Sequence, residues 1–277
     1  MCIMNEGRDC MNEKTDWFKK TKIAIKQAFP DDKIIADNID NIGEFILAKK
    51  IAWQADEKAK KLCIDFLEEA DRDVKSCKVL YSKKIYSHSV YHFQQAVEKA
   101  MKAYCLGLGI LKIEEVTGHD TPYVLLKGFE KTGLMVILKS SDIKTQSFLD
   151  KAWEPKSDLE KRLGIAKMPY EQIIHELDAI ESDKRQIEQL IRSLLTGFLK
   201  VNKKTPPLEI TTLAAMGSLY RLGVMSFPHE AFTRYPDNER MAPRDYTREL
   251  GIVKAIPKMT GFLVNAIRDL TQAFRAS

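Results

Sequence analysis

Apolar residues recur at helical spacing along almost the whole chain, and strand-like alternation is scarce. Ile35, Ile39, Ile42 and Ile46 fall four, three and four residues apart, which is one face of a helix. Before them, 15–29 reads as a helix that stops at Pro30, with Asp31 or Asp32 able to cap the next. Residues 53–82 form a long amphipathic run. Ala59, Leu62, Phe66, Ala70, Val74, Cys77 and Tyr81 trace one stripe, and Lys58, Lys61, Glu68, Asp71 and Lys75 occupy the opposite face. The partner this stripe needs is predicted over 85–108. There Val90, Phe93, Val97, Met101, Tyr104 and Leu108 line one side, and Gly107 and Gly109 supply C-cap chemistry.

A third helix is predicted from "HDTPYVLLKGFEKTG": Asp120 or Thr121 caps it, Pro122 suits its first turn and Gly133 ends it. Residues 134–206 differ in character. A short helix opens at Asp142 and stops before Pro155. A long one follows over 170–200, with Leu177, Ile180, Ile187, Ile191, Leu194 and Phe198 near heptad spacing and Lys184 interrupting the seam. "KKTPPLE" reads as a linker. Residues 208–223 return to an apolar helix with Met216, Leu219 and Leu222, and "FPHEAFTRYPDNER" reads as a loop. Pro243 is placed at the start of a final helix to 274, which Pro257 should kink. The fold class expected is all-α.

Composition adds little and excludes more. The 277 residues carry 44 basic and 39 acidic side chains, a net charge of +5. That excess permits nucleic-acid contact without arguing for it, and mixed charge fits a salt-bridged helical surface. Five cysteines, at 2, 10, 63, 77 and 105, form no CxxC pair, so neither zinc nor redox motifs are expected. Cys63, Cys77 and Cys105 fall in apolar stripes and read as buried thiols in a reducing compartment. No apolar run approaches the roughly 20 residues that span a bilayer, and the N-terminus has no apolar signal core. A cytoplasmic protein without cofactor or metal is the expectation.

The block "YHFQQAVEKAMKAY" at 91–104 sets a polar stripe of His92, Gln95, Lys99 and Lys102 beside the apolar one. Glu98 precedes Lys102 by four residues, an ordinary helix pair of about 0.3 kcal/mol. Helix stability does not account for His92, Gln94 and Gln95, which need partners if buried. They either fix helix register by hydrogen bonds or form a polar notch for a ligand.

Here the chain resembles the HEPN family, named for nucleotide-binding domains of higher eukaryotes and prokaryotes. "YHFQQAVEKAMKAYCLGLG" is similar to its second helix and "FLEEADRDVKSCKVLYSKKIYSHSVYH" to the first helix and the following turn. "HDTPYVLLK" resembles the His-Asp segment opening the third, and "FTRYPDN" the Arg-Tyr-Pro turn before the last long helix. The resemblance covers about 50–133 and 210–275. It implies an antiparallel up-and-down helical bundle, expected over 51–277 after a helical extension at 1–50, and the long segment at about 134–206 departs from the family pattern and reads as a helical insertion. It also implies a homodimer and three roles: a binding module for nucleotide or RNA, a subunit paired with a nucleotidyltransferase as in toxin–antitoxin systems, or a metal-independent ribonuclease.

The ribonuclease members carry Arg followed after four to six residues by His at the start of the last helix, where His serves as base or acid and Arg stabilises phosphate. This chain lacks that spacing. Arg221 and His229 come nearest, with seven residues between them. No catalytic residue is therefore assigned. The expected reading is a non-catalytic binder whose ligand surface combines His92, Gln95, Lys99, His119, Arg234, Tyr235 and Arg244. Two alternatives stand beside it. One is a ribonuclease with His229 or His119 as base and Arg234 or Arg244 on phosphate. The other is a regulatory subunit gripping a partner protein.

Overall fold

The computed structural model describes Ile23 and residues 57–107, 109, 111–116, 159–182, 185, 208–234 and 241–276. The helices expected before residue 51, from His119 and from Asp142 lie outside them, as does the seam beyond Lys184. Among the described residues the protein is all-α.

Helices α1 (Glu57–Ser82) and α2 (Tyr86–Gly107) pack along their lengths as a hairpin. The turn between them is fixed by backbone bonds. The Ile85 N–H donates to Leu80 O and the Lys84 N–H to Tyr81 O, each at 3.0 Å, with Lys84 in the left-handed region at φ 61°. This is the Schellman arrangement, which satisfies the last carbonyls of α1. The short α3 (Ile113–Val116) follows, then α4 (Leu159–Ala166) and α5 (170–182). Helix α6 (Leu208–Ser226), the single turn α7 (His229–Phe232) and a 3₁₀ turn (Pro243–Asp245) lead to α8 (Gly251–Ala276).

Helix α2 lies at the centre and packs against α1, α6 and α8. Val90, Phe93, Val97, Met101 and Tyr104 are all fully buried, as their period predicts. Each large apolar side chain withdrawn from water contributes about 1.5–3 kcal/mol, so this helix organises the core. Cys63, Cys77 and Cys105 are buried thiols. Burial pushes Cys63 up to about 12 and Cys77 to about 11, so neither is a ready nucleophile.

Several expectations need correction. The buried stripe of α1 centres on Cys63 and Leu67, with Leu62 and Phe66 only half-buried at its flank. Gly107 is no cap: it is buried in α2, where a Cβ would collide with the Phe274 ring of α8. Gly109 is the residue with positive φ, at 59°, just past the helix. Part of the expected loop after Phe227 is helical, as α7. Pro243 begins only the 3₁₀ turn, and α8 starts at Gly251. The intervening residues hold aromatic Tyr246 inward, which a continuous helix from Pro243 would not require.

Candidate functional site

From Ser89 to Gly107 every residue of α2 is buried except four: Tyr91, His92, Gln95 and Lys99. They recur at spacings of one, three and four, so they share one face. This half-exposed polar window is the only interruption in that otherwise enclosed stretch.

Its floor is Asp73 of α1, a carboxylate only 9% exposed. The His92 Nδ1–H donates to Asp73 Oδ1 at 2.8 Å, and Lys99 Nζ donates to the other oxygen, Oδ2. Both acceptor oxygens of a buried carboxylate are thus satisfied from α2, as burial requires. The bond at Nδ1 places a proton on that nitrogen, so in the neutral tautomer Nε2 is the acceptor.

Gln95 donates Nε2–H to Gln94 Oε1 at 2.7 Å, and Gln94 donates to Glu98 Oε2 at 3.2 Å. Glu98 receives Lys102 Nζ at 2.9 Å, and Lys102 lies 5.9 Å from the centre of the Phe66 ring. The Glu98–Lys102 pair is therefore buried, not the surface helix pair expected from its spacing. It anchors a polar chain that reaches the window through Gln94. The register reading holds for Gln94, which is fully buried; Gln95 is the member that meets solvent.

Tyr91 extends the window toward α7. Its ring meets the His92 ring edge-on, with centroids 5.5 Å apart, and the Arg234 guanidinium lies 5.5 Å from its centre. Glu230 holds Arg234 in place through its side chain at 3.0 Å and its carbonyl at 3.3 Å. Arg244 is exposed in the 3₁₀ turn, which packs against α2. Its neighbour Asp245 folds back to accept the Ala242 N–H at 2.7 Å. That turn, and not the start of α8, carries Arg244.

The structure thus gathers His92, Gln95 and Lys99 on one face, adds Arg234 through Tyr91, and holds Arg244 on an adjoining turn. His119 and Tyr235 lie outside the described residues. Lys99 is committed to Asp73, a structural role the sequence reading did not foresee. Asp73 and Tyr91 were missed. Asp73 carried a signal: it is a carboxylate set between Ala70 and Cys77 on the apolar side of its helix.

His229 and Arg221 do not meet a solvent-accessible cleft. Each is 1% exposed. Arg221 donates to Glu176 of α5 at 2.5 Å. His229 Nδ1 lies 2.8 Å from the Tyr246 hydroxyl, its Nε2 has no hydrogen-bond partner, and burial lowers its pKa to about 3. The ring is neutral and sealed, which is a poor setting for acid–base exchange with a phosphodiester.

The family model of the HEPN domain matches residues 64–168. The HEPN span takes in most of α1, all of α2 and α4, and therefore Asp73, Tyr91, His92, Gln95 and Lys99; Arg221, His229 and Arg234 lie beyond it. No curated protein and no solved structure matches the chain. Among the described residues no group of three or more His, Cys, Asp or Glu side chains is placed to hold a metal, and no helix is long and apolar enough to cross a membrane. A groove of about 420 Å³ runs between α1 and α8, lined by Glu68, Arg72, Arg268 and Arg275 among others. None of the residues of the α2 window lines it.

Proposed function

We propose that this HEPN-type helical protein holds a nucleotide or a short RNA segment at the α2 window without cleaving it. The observation that carries the reading is the window itself: four polar or aromatic side chains left accessible on the stretch Ser89–Gly107, whose other residues are buried. Gln95 offers an amide with both donor and acceptor capacity to a base edge. His92 Nε2 offers a second acceptor at a ring orientation fixed by Asp73. Tyr91 supplies a ring for stacking, and the Arg234 guanidinium supplies charge for phosphate. Binding without cutting is our reading because His229, which comes nearest the ribonuclease spacing, is sealed in the core; His92, oriented by Asp73, is the residue that a cleavage assay has to test.

The test is a fluorescence titration with ATP and with a 12-nucleotide RNA, on wild type and on Tyr91→Ala, Gln95→Ala and Arg234→Ala. Each substitution is expected to weaken binding by about tenfold, the scale of one stacking or charge-assisted contact. Unchanged affinity in all three removes the window as the ligand surface. RNA recovered intact after incubation with EDTA supports the non-catalytic reading. Metal-independent cleavage that disappears in His92→Ala overturns it.

A further inference from the structure

The tip of the α1–α2 hairpin carries a second surface, separate from the window. No Asp or Glu lies between Asp73 and Glu98, a stretch of 24 residues in a chain where 39 of 277 are acidic. Lys75 within it is committed to Asp71 at 2.6 Å. Lys78, Lys83 and Lys84 are exposed at the tip. Next to them in the chain are two exposed aliphatic residues, Val79 at 59% and Ile85 at 45%. Ile23 is the other large apolar side chain with comparable exposure among the described residues.

The turn is also held in a costly conformation. Lys84 occupies the left-handed position that a Schellman motif ordinarily gives to glycine. Backbone bonds from Lys83, Lys84 and Ile85 into the last turn of α1 fix it there. A glycine would relieve the strain and lose the ammonium group. Strain retained at an exposed residue points to a use for its side chain.

We propose that this tip is a docking surface for an acidic protein segment with an apolar centre. Exposed aliphatic and lysine side chains together at one helical turn supply the two ingredients of a protein interface, apolar surface and charge. Its charge selects an acidic partner. Single-stranded RNA would favour open aromatic faces. Tyr81 and Tyr86 instead pack edge-on against each other, 5.5 Å apart and half-buried. A second copy would set lysines against lysines. Two aliphatic side chains bury too little area to anchor the protein on a bilayer. The surface is small, so the contact is weak and salt-sensitive.

The test uses the full chain and a fluorescein-labelled 14-residue helical peptide of Glu and Leu, its Leu→Ser counterpart of equal charge, a 12-nucleotide RNA, and vesicles of phosphatidylcholine and phosphatidylserine. The Glu/Leu peptide is expected to bind in the micromolar range at low salt. Lys83→Glu combined with Lys84→Glu should weaken it by at least about tenfold. Ile85→Ser and the Leu→Ser peptide should each weaken it by about threefold to fivefold. Arg275→Ala, at the far end of α8, should leave it unchanged. Lys84→Gly should raise Tm while weakening peptide binding, a combination that a purely structural turn would not give. Absence of peptide binding overturns the proposal, as does binding indifferent to the charge reversals. So does tip-dependent binding seen with RNA or vesicles alone.

Discussion

His92 donates its Nδ1–H to Asp73 Oδ1 at 2.8 Å, tying central helix α2 to α1 at the point where α2 becomes accessible. Lys99, two turns along α2, takes the other oxygen. The carboxylate is nearly buried while its two partners are 30% and 27% exposed. Water therefore screens the partners more than the acid. Asp73→Asn should cost about 1–2 kcal/mol of stability in urea unfolding, because it leaves the Lys99 ammonium half-buried without its anion. Combining it with Lys99→Met should recover part of the loss, giving a coupling of about 0.5–1 kcal/mol in a double-mutant cycle. Additive losses would show that the two groups do not interact.

The neutral, sealed ring of His229 predicts a pH dependence. Its pKa falls from 6.5 to about 3 on folding, through burial. Above pH 6.5 both folded and unfolded chains hold the ring neutral, and its contribution to stability is fully present. As pH drops, the unfolded chain binds a proton that the folded chain refuses until about pH 3, so stability is lost progressively across that window. Between pH 7 and 5 the loss from this one group should be about 2 kcal/mol. Urea unfolding of wild type and His229→Gln at both pH values checks it: the variant should show a flatter profile. Parallel profiles would place the titration elsewhere.

Periodicity made the α1–α2 hairpin and its core legible, because a continuous apolar face at 3.6-residue spacing is a property of the local sequence. Phe93, Val97, Met101 and Tyr104 are buried as their spacing requires. Polar positions were harder to place. Nothing local distinguishes Lys99, held by Asp73, from Lys102, held by Glu98, since the partner of the first lies 26 residues away across a helix interface. Glu98 and Lys102 have the spacing of a surface pair, and only packing against other elements, Phe66 of α1 among them, buries them. The start of α8 was misplaced because Pro243 suits the first turn of either a long helix or a 3₁₀ turn. The choice is made by tertiary contact, with Tyr246 drawn inward to His229. The window at Tyr91 was half visible: its polar residues stood out, and Tyr91 belonged to neither the apolar nor the polar stripe.

Arg221 and Glu176 form a buried ion pair that joins α6 to α5, with side chains 1% and 2% exposed. Glu176 sits within the Ile173, Leu177 and Ile180 seam that otherwise reads as apolar. Glu176→Gln removes a carboxylate from a guanidinium that is 1% exposed, so it should cost about 1–3 kcal/mol. Replacing both with apolar residues of similar size, as Arg221→Met with Glu176→Leu, should cost far less or stabilise. Hydrogen exchange on 170–182 separates the effects: the single variant should lose protection there before α1 and α2 do, and the double variant should keep it. Equal protection in all three proteins would mean that packing, not the ion pair, holds α5.

Gly107 lets α2 and α8 approach. A Cβ at this position would overlap the Phe274 ring directly, and Phe274 is itself 5% exposed and packed in the core. A ring this enclosed cannot swing clear as an exposed flexible chain would. Gly107 lies in the last turn of α2, where Ala has the higher helix propensity by about 1 kcal/mol. If local propensity governed, Gly107→Ala would stabilise. Because the ring is in the way, Gly107→Ala should instead destabilise by about 1–3 kcal/mol, the usual cost of overpacking. Phe274→Leu opens a cavity of its own and should cost about 1–3 kcal/mol alone. In the Gly107→Ala background the added methyl partly fills that space, so the double variant should be more stable than the sum of the two losses predicts. Thermal unfolding of the four proteins decides the matter, and strict additivity would show that α2 and α8 are not in contact here.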